Sequence, residues 1–338
     1  MSGETIGLVP RLGGLGGMVS FQARLMAGLE ARGVATTFDL ADPRLAAILI
    51  IGGTRHVGAL WQARRRGVRL VQRLNGMNWL HRRQKTSLKG FLRAEGNNRL
   101  LAFIRRNLAH RIVYQSGFSR DWWNRVFGTI HKPQQVTYNG IDLSRATPAG
   151  PGERPADRLR LLLVEGHLSA DNRQGLDNAL ALTRALRENH RLPVELTVAG
   201  DVPESIRAAC PADLPVTWAG VLKRDEILTL DRSSHLLFSG DLNAACPNSV
   251  IEALACGLPV AAYDTGALAE MVQGGAGCVA PYGADFWKLE PPQVAPLAEA
   301  AAGVLQNQPA YRAAARARAE AVFGLETMLE GYLEALLG

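Results

Sequence analysis
Short aliphatic runs alternate along the chain with stretches whose apolar residues recur at helical spacing, and that alternation predicts parallel α/β units. Ile6-Gly-Leu-Val-Pro10 reads as a strand, followed by a glycine-rich loop at Gly13 to Gly17 and an amphipathic helix from Met18 to Ala31 that stops at Gly33. Further strands are expected at Ala46–Ile51, Val68–Leu74, Arg111–Tyr114 and Gln135–Tyr138, and Asn139-Gly140 marks a turn. Pro148-Ala-Gly-Pro-Gly-Glu-Arg-Pro155 then reads as a linker. A second series of strands follows at Leu159–Glu165, Val194–Ala199, Val216–Trp218, His235–Ser239, Pro259–Tyr263 and Gly277–Ala280. Helices are expected between them, notably Leu176–Glu188 and Ser249–Cys256, and Pro296 to Leu337 reads as helical. The expected division is a first domain at 1–147, a linker at 148–156, a second domain at 157–310, and a helical segment at 311–338 packing back on the first domain. Two such units place a cleft at the carboxyl ends of their sheets.

The length of 338 residues agrees with two domains, and 47% hydrophobic with 20% charged residues is ordinary globular composition. The longest apolar stretch, Leu45 to Gly53, falls well short of the roughly 20 residues a spanning helix needs. Met1-Ser-Gly-Glu-Thr has no basic region leading into an apolar core, so no secretory signal is expected. Cys210, Cys246, Cys256 and Cys278 show no metal or redox spacing and read as buried free thiols in a reducing cytoplasm.

Charge changes the picture more. The net charge of +7 hides a strong asymmetry: residues 61–132 hold 17 Arg or Lys and only two acids, Glu95 and Asp121. A surface of that kind attracts phosphates, nucleic acid or an anionic membrane leaflet, unless it is only a solvated helical face. Trp79, Trp122 and Trp123 lie among these bases, either as interfacial anchors or as core. No nucleic-acid-binding signature accompanies the charge, so nucleic acid is the weaker candidate.

Two loops carry candidate chemistry. In Arg11-Leu-Gly-Gly-Leu-Gly-Gly17, between a strand and a helix, the glycines let backbone approach a ligand and the helix start favours negative charge. Dinucleotide and P-loop spacings are absent, and a tight structural turn is the alternative. The second stretch, Ser239 to Val260, reads as strand end, loop, helix and next strand. Amides at Asn248, Ser249 and Val250 suit a phosphate at the helix start, and Glu252 suits vicinal hydroxyls such as those of a ribose. The competing reading is a capping box, Ser249-x-x-Glu252, in which Glu252 only reaches back to the helix start.

In Glu252-Ala-Leu-Ala-Cys-Gly-Leu-Pro-Val260 the sequence resembles the family 4 glycosyltransferases (glycosyl transferases group 1). The resemblance extends over Gly13–Gly17, Gln115-Ser-Gly-Phe-Ser-Arg-Asp121, Tyr138-Asn-Gly-Ile-Asp142, Val198-Ala-Gly-Asp201, Trp218-Ala-Gly220 and Tyr263-Asp-Thr-Gly-Ala-Leu-Ala-Glu270. It implies the GT-B fold: α/β, two Rossmann-like doubly wound domains facing a central cleft, with a C-terminal helix. It implies retaining transfer of a hexose-type sugar from a UDP- or GDP-linked donor, with no metal and no other cofactor; no Asp-x-Asp motif stands at a strand end. In that reading Glu252 holds the ribose, Asn248, Ser249 and Val250 take the diphosphate with Gly16 and Gly17, and Val221 follows the loop that seats the base. Hinge closure of the two domains excludes water.

The chain also departs from the family. Ala244 stands where a first glutamate is usual, eight positions before Glu252, and Asp241 is the nearest acid to replace it on the sugar hydroxyls. His167 stands where an arginine of the diphosphate clamp is expected, and Arg173 lies next to the lysine position. Asn75 and His81 are the polar options for holding the transferred sugar on the first domain. The first domain faces the acceptor in this family, so its basic segment implies an anionic or lipid-linked acceptor in polysaccharide or glycolipid synthesis. A cytoplasmic location is expected, with peripheral attachment to the inner membrane face through residues 61–132. Ala244 and His167 keep open an alternative, an inactive nucleotide-sugar-binding relative acting as a scaffold or partner protein.

Overall fold
A computed structural model describes residues 4–14, 16–169 and 172–338. Met1 to Gly3 at the start, Leu15 of the glycine loop, and Ala170 and Asp171 lie outside the described residues. The chain divides into unit 1, residues 1–140 with 325–338, and unit 2, residues 141–324.

Unit 1 runs β1 (Thr5–Val9), α1 (Gly17–Ala31), β2 (Ala35–Thr37), β3 (Leu45–Ile51), α2 (Val57–Arg65), β4 (Arg69–Leu74), α3 (Leu88–Phe103), β5 (Arg111–Tyr114), α4 (Gly117–Phe127) and β6 (Gln134–Val136). Its sheet is parallel in the order β2-β1-β3-β4-β5-β6. β1 and β3 are almost wholly apolar because parallel strands at the centre are covered on both faces. The edges are short and more polar, Ala-Thr-Thr and Gln-Gln-Val, which discourages pairing with another chain. β2 escapes sequence reading because three residues are too few to show a period.

Unit 2 runs β7 (Leu159–His167), α5 (Gln174–Glu188), β8 (Val194–Asp201), α6 (Glu204–Ala208), β9 (Val216–Gly220), α7 (Arg224–Arg232), β10 (Leu236–Ser239), α8 (Asn248–Ala255), β11 (Val260–Tyr263), α9 (Leu268–Met271), β12 (Gly277–Ala280), α10 (Val294–Gln306) and α11 (Gln308–Val322). Its parallel sheet is ordered β12-β11-β10-β7-β8-β9. The apolar stripe of α5 (Leu176, Ala179, Leu182, Leu186) meets strand residues Leu161, Leu163, Leu196 and Val198 in one core.

The final stretch is three helices rather than one continuous helical run. It breaks at Asn307, just before Pro309, and again at Phe323-Gly324 ahead of α12 (Leu325–Leu337). α11 is tied to unit 2 through arginines that satisfy helix-end carbonyls. Arg316 donates to Ala255 O at the end of α8 (2.8 Å), and Arg318 to Glu270 O and Met271 O at the end of α9 (2.7 and 3.1 Å). α12 joins the core of unit 1, where Met328, Leu329, Tyr332 and Leu336 pack with Ile6, Phe21 and Leu25. Gly28 makes that packing possible, because a Cβ there would lie 2.4 Å from Leu329 Cδ1. The Pro/Gly run at 148–155 lies in unit 2. Arg232 at the end of α7 donates to Thr147 O (2.8 Å) and Arg145 O (3.2 Å) and so holds the entry to that run. Among the described residues no helix is long and apolar enough to cross a membrane.

Candidate functional site
In unit 2 the strand order reverses between β7 and β10, the place where open α/β sheets leave a crevice beyond their carboxyl ends. The crevice is lined where two loops come very close. A Cβ on Gly240 would lie 2.7 Å from Gly175 Cα, so only glycine fits there. Glu165, near the end of β7, seats its carboxyl against both glycines: Oε1 lies 2.6 Å from where a Gly175 Cβ would stand and 3.4 Å from that of Gly240. Burial, aided by the charge of Asp241 just after β10, pushes Glu165 up to about 8.

That shift has a sign in stability. The unfolded chain loses the Glu165 proton near 4.5 while the folded chain keeps it to about 8, so stability falls as pH rises between those values. Glu165→Gln removes the linkage. The variant is expected to melt progressively higher than the native protein as pH rises from 5 to 8, with the gap constant above about pH 8. Melting curves across that range check it, and a gap that does not change with pH would refute the assignment.

Around this crevice stand the other polar side chains. His167, at the end of β7, makes a 2.8 Å contact from Nδ1 to Asp201 Oδ2 at the end of β8, with both side chains exposed. Arg173 precedes α5, and its Nε and Nη2 donate to the Asp177 carboxylate one turn on (2.8 Å at the shortest). Asp241 and Val221 are exposed, the latter just beyond β9. α8 begins at Asn248 with Pro247 at the cap position, whose side chain makes no cap hydrogen bond. The capping-box reading is therefore wrong: proline occupies the cap position, and Ser249 lies inside the helix. Glu252 instead faces α7, with Oε1 3.6 Å from Arg224 Nε and its side chain 13% exposed. Asp231, also on α7, is fully buried; burial first and the Glu252 charge second hold it well above the usual carboxylate range. Among the described residues no group of three or more His, Cys, Asp or Glu is placed to hold a metal ion.

Unit 1 has its own crevice where its strand order reverses, beside β1 and β3. A cavity of 220 Å³ lies there, lined by residues beyond β1 (Pro10, Leu12), β3 (Gly52, Gly53) and β4 (Asn75, Asn78). Gln22 on α1 ties the glycine loop in place: Leu12 N donates to Gln22 Oε1 (3.0 Å), and Gln22 Nε2 donates to Pro10 O (2.9 Å). Gly16, at φ 134°, leads into α1, whose first turn beginning at Gly17 has no side-chain cap. The Asn75 carbonyl accepts hydrogen bonds from Trp123 Nε1 (2.7 Å) and Ser119 Oγ (2.9 Å), which hold this loop to α4.

A family model described as "Glycosyl transferases group 1" matches residues 160–307, a span within unit 2 that includes the β7 crevice and α8. No curated protein matches the sequence. Among solved structures, HepE of Anabaena in complex with UDP-glucose is 16% identical, with 98% of this chain and 99% of that chain covered at a TM-score of 0.69. Sucrose-phosphate synthase from Thermosynechococcus elongatus is also 16% identical, over 98% of each chain at a TM-score of 0.72. WaaG, a glycosyltransferase involved in lipopolysaccharide biosynthesis, is 16% identical over 99% of this chain and 100% of that chain, at 0.66. Likeness at this identity concerns the fold. The fold is GT-B.

Within the GT-B fold, unit 2 places Glu165 and His167 at the carboxyl end of β7, and Arg173, Asp241 and the start of α8 beyond the carboxyl ends of the same sheet. Unit 1 places Gly16, Gly17 and Asn75 beyond those of the other. His81 is half-buried, bonded to Glu95 Oε1 (2.8 Å) and packed edge-on against Phe91. Trp122 and Trp123 are core residues, not interfacial ones. Two of the four cysteines, Cys210 and Cys278, are only half-buried. Sequence reasoning missed Glu165, although an acid ending a strongly apolar strand was a usable signal. It also missed the glycine contacts that seat it, since nothing local brings Gly175 to Gly240.

Proposed function
We propose that the protein is a glycosyltransferase that moves a hexose-type sugar from a UDP- or GDP-linked donor to an acceptor with retention of anomeric configuration. The observation that carries the reading is the group 1 glycosyltransferase match over 160–307, a span that includes α8, with Pro247 at its cap position, and Glu252. As the bond between the sugar C1 and the phosphate oxygen breaks, negative charge grows on the diphosphate, and fixed donors aimed at that charge are usually the largest catalytic contribution. In this reading those donors are the amides of Asn248, Ser249 and Val250, together with Arg173 and His167. The acceptor oxygen bonds to C1 on the face the phosphate leaves, and its proton passes to the departing phosphate oxygen. This scheme takes no protein nucleophile, no metal and no cofactor besides the donor. Glu252 accepts from the ribose hydroxyls, Asp241 from the sugar, and Val221 lies against the base. A neutral Glu165 adds no charge against the diphosphate. In unit 1, the amides of Gly16 and Gly17 are the anion-binding feature, and Asn75 lines the cavity for sugar or acceptor.

A second reading, an inactive nucleotide-sugar-binding relative, has specific support. Both clamp residues are already matched by carboxylates, Arg173 by Asp177 and His167 by Asp201, and the Ala244 side chain offers no polar atom to a sugar. Thermal melting against UDP, GDP, ADP and their sugar conjugates separates these outcomes. A ligand at 100 times its Kd adds about 2.7 kcal/mol, so one nucleotide is expected to raise the melting temperature by several degrees. Slow release of free sugar from the matching conjugate is expected of a working transferase. Binding without release favours the inactive relative, and no shift with any nucleotide rejects both.

A further inference from the structure
The basic segment of unit 1 shows an unusual surface along the first turns of α3. Of residues 88–93, all but Gly90 are exposed, among them Leu88 (75%), Leu92 (60%) and Phe91 (37%). Leu88 and Leu92 stand one turn apart and Phe91 lies beside them, so the three share one helix face. Lys89 and Arg93 form the adjoining row, and between residues 82 and 99 six exposed bases stand against one acid. That acid, Glu95, is bonded to His81 and Arg82. The other end of the helix is anchored, with Asn98 and Leu101 buried and Asn98 bonded both ways to the Asn78 backbone (2.8 and 3.1 Å). Ser87 fixes the start by accepting from Gly90 N (3.2 Å).

A protruding helix start that is apolar on one row and cationic on the next fits an interface between water and an anionic lipid layer. Nucleic acid would use the charges but has no use for exposed leucines, so the apolar row favours the membrane. A groove of 540 Å³ runs along the same part of α3, past Gly90, Leu92 and Gly96 to Asn78 and Asn97. The 220 Å³ cavity beyond the strand ends is lined by the same two asparagines. The docked face is thus continuous with the cavity proposed to take the acceptor.

We propose that the start of α3, through Leu88, Phe91 and Leu92 with Lys85, Lys89 and Arg93, docks unit 1 on an anionic lipid bilayer. This rests on the acceptor-side role given to unit 1 above, but the docking itself requires no sugar transfer. The test is flotation of the full chain with phosphatidylcholine vesicles, with and without 30% phosphatidylglycerol, at low and high salt. Binding is expected only to the anionic vesicles, weakening with salt. Leu88→Gln with Leu92→Gln is expected to weaken it about tenfold or more, and Lys85→Gln with Lys89→Gln and Arg93→Gln at least as much. Because these side chains are exposed, the variants keep the native melting temperature and any nucleotide-induced shift. No binding to anionic vesicles would overturn the proposal. So would vesicle binding that ignores the leucine changes, or single-stranded RNA binding that ignores them while vesicles fail to bind. A native protein that floats with vesicles yet shows no nucleotide shift would refute the transferase reading and leave the docking intact.

Discussion

Replacing Glu252 with alanine is expected to raise the Kd for the preferred nucleoside diphosphate about 10- to 100-fold. A carboxylate accepting two ribose hydroxyls makes hydrogen bonds to a charged group, each contributing about 1.5–3 kcal/mol, and about 1.4 kcal/mol is a factor of ten in Kd. The placement favours a large effect. Glu252 lies in α8, is only 13% exposed, and has Arg224 Nε at 3.6 Å, so its carboxylate is held with little freedom to lose on binding. Its charge also disfavours ionisation of the buried Asp231, so removing it relieves that strain and keeps the ligand-free variant near native stability. Calorimetric titration of native protein and variant with the nucleotide found by melting is the check. Equal Kd values would remove Glu252 from the nucleotide site. A raised Kd with an unchanged ligand-free melting temperature would place the loss in binding rather than in folding.

Gly200→Ala is expected to lower the melting temperature of unit 2 by about 10 °C. Gly200 sits near the end of β8 at φ 142°, a conformation that side-chain-bearing residues rarely adopt. A Cβ there would lie 2.2 Å from Glu165 O, where the pairing of β7 with β8 shifts register between Val164 and His167. Backbone strain of about 1–3 kcal/mol and overpacking of about 1–3 kcal/mol combine. At about 2–4 °C per kcal/mol for a unit of this size, the expected drop follows. Because the contact is with the residue whose carboxyl lines the crevice, any nucleotide-induced shift should shrink with stability. A drop below about 3 °C would mean that β7 moves aside cheaply and that the crevice is less rigid than its glycines imply.

Glu252 stood out from its neighbours, because helix, stop and following strand are encoded within a dozen residues, and its ribose role is what the family resemblance implies. Gly200 was legible only as part of Val198-Ala-Gly-Asp201, a pattern without a stated reason. The reason is the carbonyl of Glu165 on the next strand, which no local reading supplies. The same holds for Arg173 and His167. Their positions at and after the end of β7 followed from the strand pattern, but their pairing with Asp177 and Asp201 depends on side-chain geometry. Among aromatic residues, Trp122 and Trp123 sat in a basic segment and read equally as surface or core. In the fold Trp123 packs with Leu74, Ile112 and Tyr114 of the sheet, and Trp122 is buried with its ring against Phe118.

By itself the sequence determined the alternation of strands and helices, and hence the two parallel sheets and the loops at their carboxyl ends. Those features arise within single elements, where side-chain periodicity, glycine and proline act on their immediate neighbours. The sequence led to one helical segment at 311–338 packing back on the first domain, whereas the tertiary structure divides that stretch between the units at 324/325, and the physical reason is contact between distant parts of the chain. α11 stays with unit 2 because Arg316 and Arg318 satisfy carbonyls at the ends of α8 and α9, and α12 joins unit 1 because Gly28 leaves room for Leu329. Tertiary structure likewise turned an ordinary glutamate into a carboxyl that keeps its proton to about pH 8, by closing Gly175 and Gly240 around Glu165.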